Sequence, residues 1–252
     1  MKLHAAIAPT PKAREIALAL MVGHVSVEPD EADVILVFGG DGFMLRCLHN
    51  LGHLEKPFYG INGGTVGFLL NAFKTPQLSL EDVLSSAAPT HLKPLTMEVH
   101  TGASIHKHLA INEVSLLRQT HQAIKMKLAI NGKVQMEDFA GDGMIISTPA
   151  GSTAYNRSAG GPIVPLGVPL LSVMPLCPLR PRGWNGALID DNAEIELEII
   201  ESSNRMVSAC ADYVTIAHAH RVKVSLNRAQ TYTLLFDKGH NLEDRIIAEQ
   251  FK

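Results

Sequence analysis

Asp33-Val34-Ile35-Leu36-Val37-Phe38-Gly39-Gly40-Asp41-Gly42 is the stretch that decides how the chain folds. The run from Val34 to Phe38 is short, apolar and rich in β-branched residues, which predicts a buried strand of a parallel sheet. Gly39, Gly40 and Gly42 predict a turn that uses backbone angles closed to other residues and exposes several N–H groups on one side. Phe43-Met44-Leu45-Arg46-Cys47-Leu48-His49 then has the apolar spacing of a helix. A strand, a glycine turn and a helix N-terminus together make a phosphate cradle. Asp41 is its unusual member, because a carboxylate there repels phosphate unless it takes a proton or holds a metal. Two readings of Asp41 stand: a chemical group, or the N-cap of the following helix.

Working outward, Leu3 to Ala8 predicts a strand, and Thr10-Pro11 a helix start with Thr10 as cap. Pro57 to Ile61 predicts a third strand, ending in the glycine-rich Asn62-Gly63-Gly64-Thr65-Val66-Gly67-Phe68. Strands alternating with helices imply an α/β domain with a Rossmann-like parallel sheet. Ligands of such sheets lie beyond the carboxyl ends of the strands, where both glycine loops fall. Ser79 to Ala88 reads as a helix, and Pro89-Thr90 breaks the pattern. From Leu92 the chain turns to strands: Leu95–His100, Ile105–Leu117, Ala123–Ile130, Lys133–Glu137, Met144–Ser147, Leu170–Leu176, Glu194–Ile200, Arg205–Ala209, Tyr213–Ala217 and Val222–Leu226. Asn131-Gly132 is the strongest hairpin signal among them. This second domain is all-β, and the tail from Asn241 to Phe251 reads as a helix returning to the first domain.

The chain has 252 residues, 46% of them hydrophobic, which is enough for one large domain or two small ones. Aromatics are only 5% and the net charge is -3, with no basic run, which excludes nucleic acid as an expected partner. Cys47, Cys177 and Cys210 include no CxxC pair and read as reduced, mostly buried thiols. There is no signal-peptide h-region and no stretch of about 18–20 apolar residues. The expectation is a cytoplasmic protein without a membrane partner.

Ala110-Ile111-Asn112-Glu113-Val114 places an amide and a carboxylate within an apolar strand. Strand alternation sends them to opposite faces unless the strand ends there, and a solvated strand-end charge is the competing reading of Glu113. Gly141-Asp142-Gly143-Met144-Ile145-Ile146-Ser147-Thr148-Pro149-Ala150-Gly151-Ser152-Thr153-Ala154-Tyr155-Asn156 has a carboxylate between glycines and then a hydroxyl-rich turn. Ser147, Thr148, Ser152 and Thr153 suit sugar and base edges, although a structural turn is the other reading. His106 with His108, and His218 with His220, would each share a strand face, but no Cys or Asp set completes a zinc site.

Gly39–Gly42, Asn62–Gly64 with Gly67-Phe68, Asn112-Glu113 and Asp142 through Tyr155 together resemble the NAD kinases of bacterial type, in the family's order and over most of the chain. Gly160-Gly161-Pro162-Ile163-Val164 and Ser208-Ala209-Cys210-Ala211-Asp212 are also similar to that family. The resemblance implies an α/β domain over 1–91 joined by the tail 233–252, and a β-sandwich over 92–232. It implies phosphoryl transfer from ATP to the 2′-hydroxyl of the adenosine ribose of NAD, giving NADP. Asp41 would act on that hydroxyl, and a divalent cation such as Mg²⁺ would bridge the donor phosphates. Backbone N–H groups of Gly39, Gly40 and Gly42 would face the phosphates of the donor or of NAD, Asn62 and Gly63 would belong to the NAD- and ATP-binding set, and Phe68 would pack on a base. Asn112 is similar to the residue that reads adenosine, and Glu113 to one near the ribose and metal. Ser152 belongs to the same stretch. Thr153, Ala154 and Tyr155 would wall the adenosine pocket, Asp142 would bind the nicotinamide end, and Asp212 would touch the second nucleotide site. Family members are dimers or tetramers, implying a homodimer or homotetramer. Two departures stand out: Phe43 replaces the Thr common after Gly-Gly-Asp-Gly, and Tyr213 the Gly or His common after Asp212. A lipid kinase sharing the Asp41 cradle and a non-catalytic nucleotide sensor are the alternative classes.

Overall fold

The computed structural model describes residues 1–63, 67–73, 79–102, 104–239 and 241–251. The chain divides into two compact units, Met1–Leu92 with Thr231–Ala248, and Lys93–Gln230 with the residues from Glu249. In the first unit β1 (Leu3–Ile7), α1 (Pro11–Leu20), β2 (Val34–Gly39), α2 (Asp41–Leu51) and β3 (Phe58–Asn62) alternate, and the three strands run parallel. Thr10 caps α1 by accepting the Ala13 N–H, with Pro11 in the first turn. Every residue of β2 is buried, because helices cover both faces of the sheet. On one face Ala13, Ile16 and Ala17 of α1 pack with Val34, Leu36 and Phe38. On the other, Met44 of α2 lies so close to Gly60 that a Cβ there would sit 2.4 Å from its methyl. Then follow β4 (Asn71–Ala72), α3 (Leu80–Ser86), capped by Ser79, and β5 (Ala88–Leu92). The Pro89-Thr90 pair, expected only to break the helix, lies in β5, an edge strand where proline is tolerated.

Among the described residues the second unit is β-structured apart from a 3-10 turn at Ala150–Thr153 and the single turn of α4 that follows it. Its strands are β6 (Leu95–His100), β7 (Ile105–Ala110), β8 (Glu113–Arg118), β9 (Ile124–Ile130), β10 (Lys133–Gly141) and β11 (Gly143–Ser147), then, after α4 (Tyr155–Ser158), β12 (Leu170–Leu176), β13 (Ala187–Asp190), β14 (Ile195–Ile200), β15 (Val207–Ala211), β16 (Val214–Ile216) and β17 (Arg221–Leu226). They form two six-stranded sheets, ordered β10-β9-β14-β17-β6-β7 and β13-β12-β11-β8-β15-β16. Alternate residues of both sheets, among them Met97, Val224 and Leu197 from one and Val114, Ile146 and Ala209 from the other, share one apolar core. This is the β-sandwich expected from the sequence. Asn131 and Gly132 turn the β9–β10 hairpin with φ of 51° and 74°, the left-handed pair that a two-residue turn demands. The single strand expected over Ile105–Leu117 is instead two, broken at Ile111 and Asn112.

The chain then returns to the first unit. β18 (Tyr232–Phe236), which the sequence reading did not anticipate, inserts between β3, parallel to it, and β5, antiparallel to it. After it α5 (Leu242–Glu249) buries Leu242 and Ile246. Asn71, fully buried, ties this return to the rest of the sheet. Its amide donates to the carbonyls of Gly60 at 3.1 Å and Leu235 at 3.0 Å, and its Oδ1 accepts the Asp237 N–H at 2.9 Å. No helix among the described residues is long and apolar enough to cross a membrane. Asn71→Leu keeps the volume but strands three backbone groups, so it should cost about 3 kcal/mol or more in urea-unfolding stability. A loss below about 1 kcal/mol would show that those groups find other partners.

Candidate active site

In the first unit the site grows from the end of β2. Gly40 is the N-cap of α2, in extended backbone with φ -119°, and no side chain caps the helix. Neither Gly40 nor Gly42 has a left-handed φ, and a Cβ on either would meet nothing within 4 Å. The expectation that these glycines serve unusual backbone angles is therefore corrected: they leave the helix N-terminus bare, with its first amides unscreened. Gly39 is needed for closeness, since its Cβ would stand 3.0 Å from the Phe43 ring and 3.2 Å from Ala8. Phe43 thus spends its side chain on packing against the strand end.

Asp41 is the first residue of α2 and does not cap it. Its carboxylate reaches across to the segment after β3, where Oδ2 accepts the Phe68 N–H at 2.8 Å and Oδ1 the Leu69 N–H at 2.9 Å. That same segment is held from behind by Arg245 of α5, whose Nη1 donates to the carbonyls of Gly67, Phe68 and Leu70. Burial pushes the Asp41 carboxyl above its usual range, against the two amides and the positive charge of Arg245, which pull it down. Asn62 pairs with Gly39 in the sheet register, and the Gly63 N–H donates to the Gly39 carbonyl, so Gly39, Gly40, Asp41, Gly42, Asn62, Gly63 and Phe68 gather at one sheet edge. Gly64, part of the motif, lies outside the described residues.

The second unit gathers another set. Asn112 sits in the bend before β8 and Glu113 opens the strand, which resolves the alternation problem. Asp212 turns the β15–β16 hairpin with φ 52° and accepts the N–H groups of Ile111, Asn112 and Glu113 at 2.7, 2.9 and 3.3 Å. Glu113 is half-buried beside it, with Oε2 shielded from solvent and, among the described residues, without a hydrogen-bond partner. Burial first, and the Asp212 carboxylate second, push the Glu113 carboxyl up to about 8, while the Tyr155 N–H beside it works the other way. Gly151 lies against Asn112, whose carbonyl oxygen would be 2.2 Å from a Cβ there.

The hydroxyls divide in a way the sequence did not show. Thr148 donates to the carbonyls of Ile111 and Asn112 and accepts the Gly151 N–H. Ser147 donates to the Thr148 carbonyl, and Ser152 to those of Pro149 and Val164. These three are buried and serve the fold, so the expectation of a ligand-facing Ser152 hydroxyl is corrected. Thr153, half-buried, has no hydrogen-bond partner among the described residues, and Ala154 and the exposed Tyr155 follow it. Asp142 stands apart. It precedes Gly143, which pairs with Leu117, whereas Ser147 pairs with Glu113, so it lies roughly 16 Å along the sheet from Glu113. There it accepts from Arg118 Nε at 2.7 Å. His218 and His220 fall outside strands, Cys177 is exposed where buried thiols were expected, and no group of His, Cys, Asp and Glu among the described residues could hold a metal. Arg245 and Asn71 carried no sequence signal, because their partners lie far away in the chain.

An α/β unit with a bare helix N-terminus beside a half-buried carboxylate, joined in one chain to a β-sandwich, is an arrangement suited to a phosphate-bearing ligand. Two solved structures share the fold: yeast NADH kinase complexed with NADH, at TM-score 0.83 and 20% identity over 100% of this chain and 87% of that one, and an NAD kinase from Archaeoglobus fulgidus in complex with ATP, at TM-score 0.77 and 22% identity over 100% and 99%. The ATP-NAD kinase N-terminal domain matches residues 14–84 and the C-terminal domain residues 111–236. Among curated relatives, the NAD kinase of Xylella fastidiosa is 46% identical over 96% of this chain and 92% of its own length, that of Rickettsia typhi 46% over 88% and 87%, and that of Caulobacter vibrioides 43% over 96% and 92%. The chain belongs to the NAD kinase family, and it is an enzyme that phosphorylates NAD at the expense of ATP.

Glu113 gives the sandwich a pH signature. The titratable groups facing it are Asp212, the Tyr155 phenol and the Cys210 thiol, none of them a cation. Between the ordinary glutamate value of 4.5 and about 8 the folded chain keeps a proton that the unfolded chain releases. Stability from this group is therefore full at the acid end and is lost as pH rises through that window. Glu113→Gln removes the titration, so its melting temperature should gain on wild type as pH climbs. Parallel melting curves from acid to mildly alkaline pH would assign Glu113 to solvent.

Proposed function

We propose that Asp41 is the group that aligns and deprotonates the 2′-hydroxyl of the adenosine ribose of NAD, and that the bare amides of Gly40, Asp41 and Gly42 face phosphate. The observation that carries this is the fixing of both Asp41 oxygens by the Phe68 and Leu69 amides next to an uncapped helix N-terminus. A base held in one orientation, with its carboxyl raised by burial against the pull of its donors, suits proton transfer. Phosphoryl transfer then needs alignment and charge neutralisation more than covalent help. A divalent cation fits as an ion carried by the donor phosphates, since the described residues offer no all-protein cage for one. When bound it would neutralise charge between phosphoryl oxygens, and no protein ligand is assigned to it.

Recognition of the nucleotide falls to the sandwich. Asn112 carries a side-chain amide with no partner among the described residues, Glu113 an oxygen in the same condition, and Thr153 a free hydroxyl. Buried or half-buried polar groups left unpaired suit a ligand that pairs them. Asn112 is read as the adenosine contact, Glu113 as the ribose contact, and Thr153, Ala154 and Tyr155 as the pocket wall. Phe68 is read as packing on a base and Asp212 as holding the Ile111–Glu113 backbone in place. Asp142 is kept for the nicotinamide end of the dinucleotide. A cytoplasmic location and assembly as a homodimer or homotetramer complete the proposal and rest on the family resemblance. The lipid-kinase and sensor alternatives are not favoured by the curated relatives.

Incubation with NAD, ATP and Mg²⁺ should yield NADP. Asp41→Asn should lower kcat by about 10²–10⁴-fold with NAD bound at similar affinity. It should also lower stability by about 1–3 kcal/mol, because the new amide NH₂ faces a backbone N–H. Rates are therefore compared well below the variant's melting point, and a near-normal kcat there would end the catalytic assignment. Thr153→Val keeps the shape and should cost about 1–3 kcal/mol in NAD binding. An unchanged KM for NAD would return Thr153 to the fold.

A further inference from the structure

Arg245 lies near the end of the chain, on α5, far in sequence from every glycine motif. Its Nη1 is within hydrogen-bond reach of three carbonyls, those of Gly67, Phe68 and Leu70, and its guanidinium stands 5.3 Å from the centroid of the Phe236 ring. Two of the three peptide units it grips, Gly67–Phe68 and Phe68–Leu69, are the ones whose N–H groups bond Asp41. Each of those two peptides is therefore held at its carbonyl by Arg245 and at its amide by Asp41. We propose that Arg245 is a positioning residue for phosphoryl transfer: it fixes the Gly67–Leu70 segment so that the Phe68 and Leu69 amides stay on Asp41, and it supplies the positive charge that this carboxylate faces.

The proposal rests on the reading of Asp41 as the catalytic group. It touches neither substrate nor the reacting atoms, and works through Asp41 alone. The segment 67–70 has no regular secondary structure of its own, so no strand or helix ladder sets where its amides point. Arg245 is the charged group that acts on Asp41 among the described residues, and it opposes the burial that would otherwise keep a proton there. Arg245 itself faces Asp41 and Asp237, and Asp237 is in turn engaged by the Tyr59 hydroxyl at 2.5 Å. A planar fork spans several carbonyls where an ammonium reaches one or two, so Lys would keep the charge and lose much of the grip.

The test is steady-state turnover of NAD with ATP and Mg²⁺ across the acid limb of the rate profile, for Arg245→Met, Arg245→Lys, Asp41→Asn and the double variant Asp41→Asn/Arg245→Met. Arg245→Met should lower kcat about 10–100-fold with KM for NAD within about threefold, because a misplaced base slows chemistry without loosening the nucleotide. Its acid limb should move to higher pH, since losing the cation favours the protonated carboxyl. Arg245→Lys should return the limb to its wild-type position while recovering only part of kcat. Should the Met variant not fold, Arg245→Lys still decides: full kcat there would overturn the positioning role, and a loss with an unmoved limb supports it. The double variant should be no slower than Asp41→Asn within about threefold. A full multiplication of the two losses would place Arg245 in another role and leave Asp41 intact. A near-normal Asp41→Asn would instead remove the catalytic reading, and this proposal with it. An Arg245→Met enzyme with wild-type kcat and an unmoved limb overturns the proposal alone.

Discussion

A carboxylate taken out of water loses solvation worth on the order of several kcal/mol, and the loss must be met by donors or by a proton. This chain solves that problem twice with the same means. Asp41 is met by the amides of Phe68 and Leu69, and Asp212 by those of Ile111, Asn112 and Glu113. In both cases the acceptor follows the end of a strand within two residues, and its donors lie elsewhere in the same unit. The donor segment gains its shape from the carboxylate, and the carboxylate its orientation from the donor segment. Much of the local geometry follows: the strand expected over Ile105–Leu117 breaks because Asp212 claims three consecutive amides there.

Glu113 shows what happens when donors are missing. One oxygen has no partner among the described residues, Asp212 lies beside it, and the carboxyl is driven up to about 8. The contrast separates roles. A carboxylate with its donors in place, such as Asp212, is part of the frame. One that is buried and under-satisfied stores a cost that a bound ligand can relieve. Asp41 lies between the two, with donors on both oxygens yet burial still prevailing. The four hydroxyls of the Ser147–Thr153 stretch sort by the same criterion, since three are spent on carbonyls and only Thr153 is left over.

What could be read from the sequence was what is local. The strand Val34–Phe38, the helix after it, the Thr10-Pro11 start and the Asn131-Gly132 turn each depend on residues within a few positions, and all lie where the pattern put them. The glycines of the first motif were located correctly but for another reason, because a turn of open space and a turn of unusual φ look alike in a sequence. The roles of Asn71 and Arg245 depend on partners 164 to 178 residues distant, and a buried asparagine or a helical arginine carries no mark of that. β18 escaped because its alternation, Tyr232, Leu234 and Phe236 inward, is interrupted by an apolar Leu235 on the other face.

The distant partners have a consequence for how the site comes to exist. β18 lies inside the first sheet and not at its edge, so β3 and β5 are not joined until residues 232–236 arrive. Asn71 has two of its three partners, and the Gly67–Leu70 segment its arginine, only from that same return. The glycine motif can therefore form its strand and helix from local contacts, whereas the segment that donates to Asp41 is gripped by Arg245 across 175 to 178 residues of sequence. Such contacts are slow to form, because loop-closure entropy must be overcome before they contribute stability. The surroundings of the first motif thus include a segment that follows the whole sandwich, and the peptides bonded to Asp41 are complete only with that return.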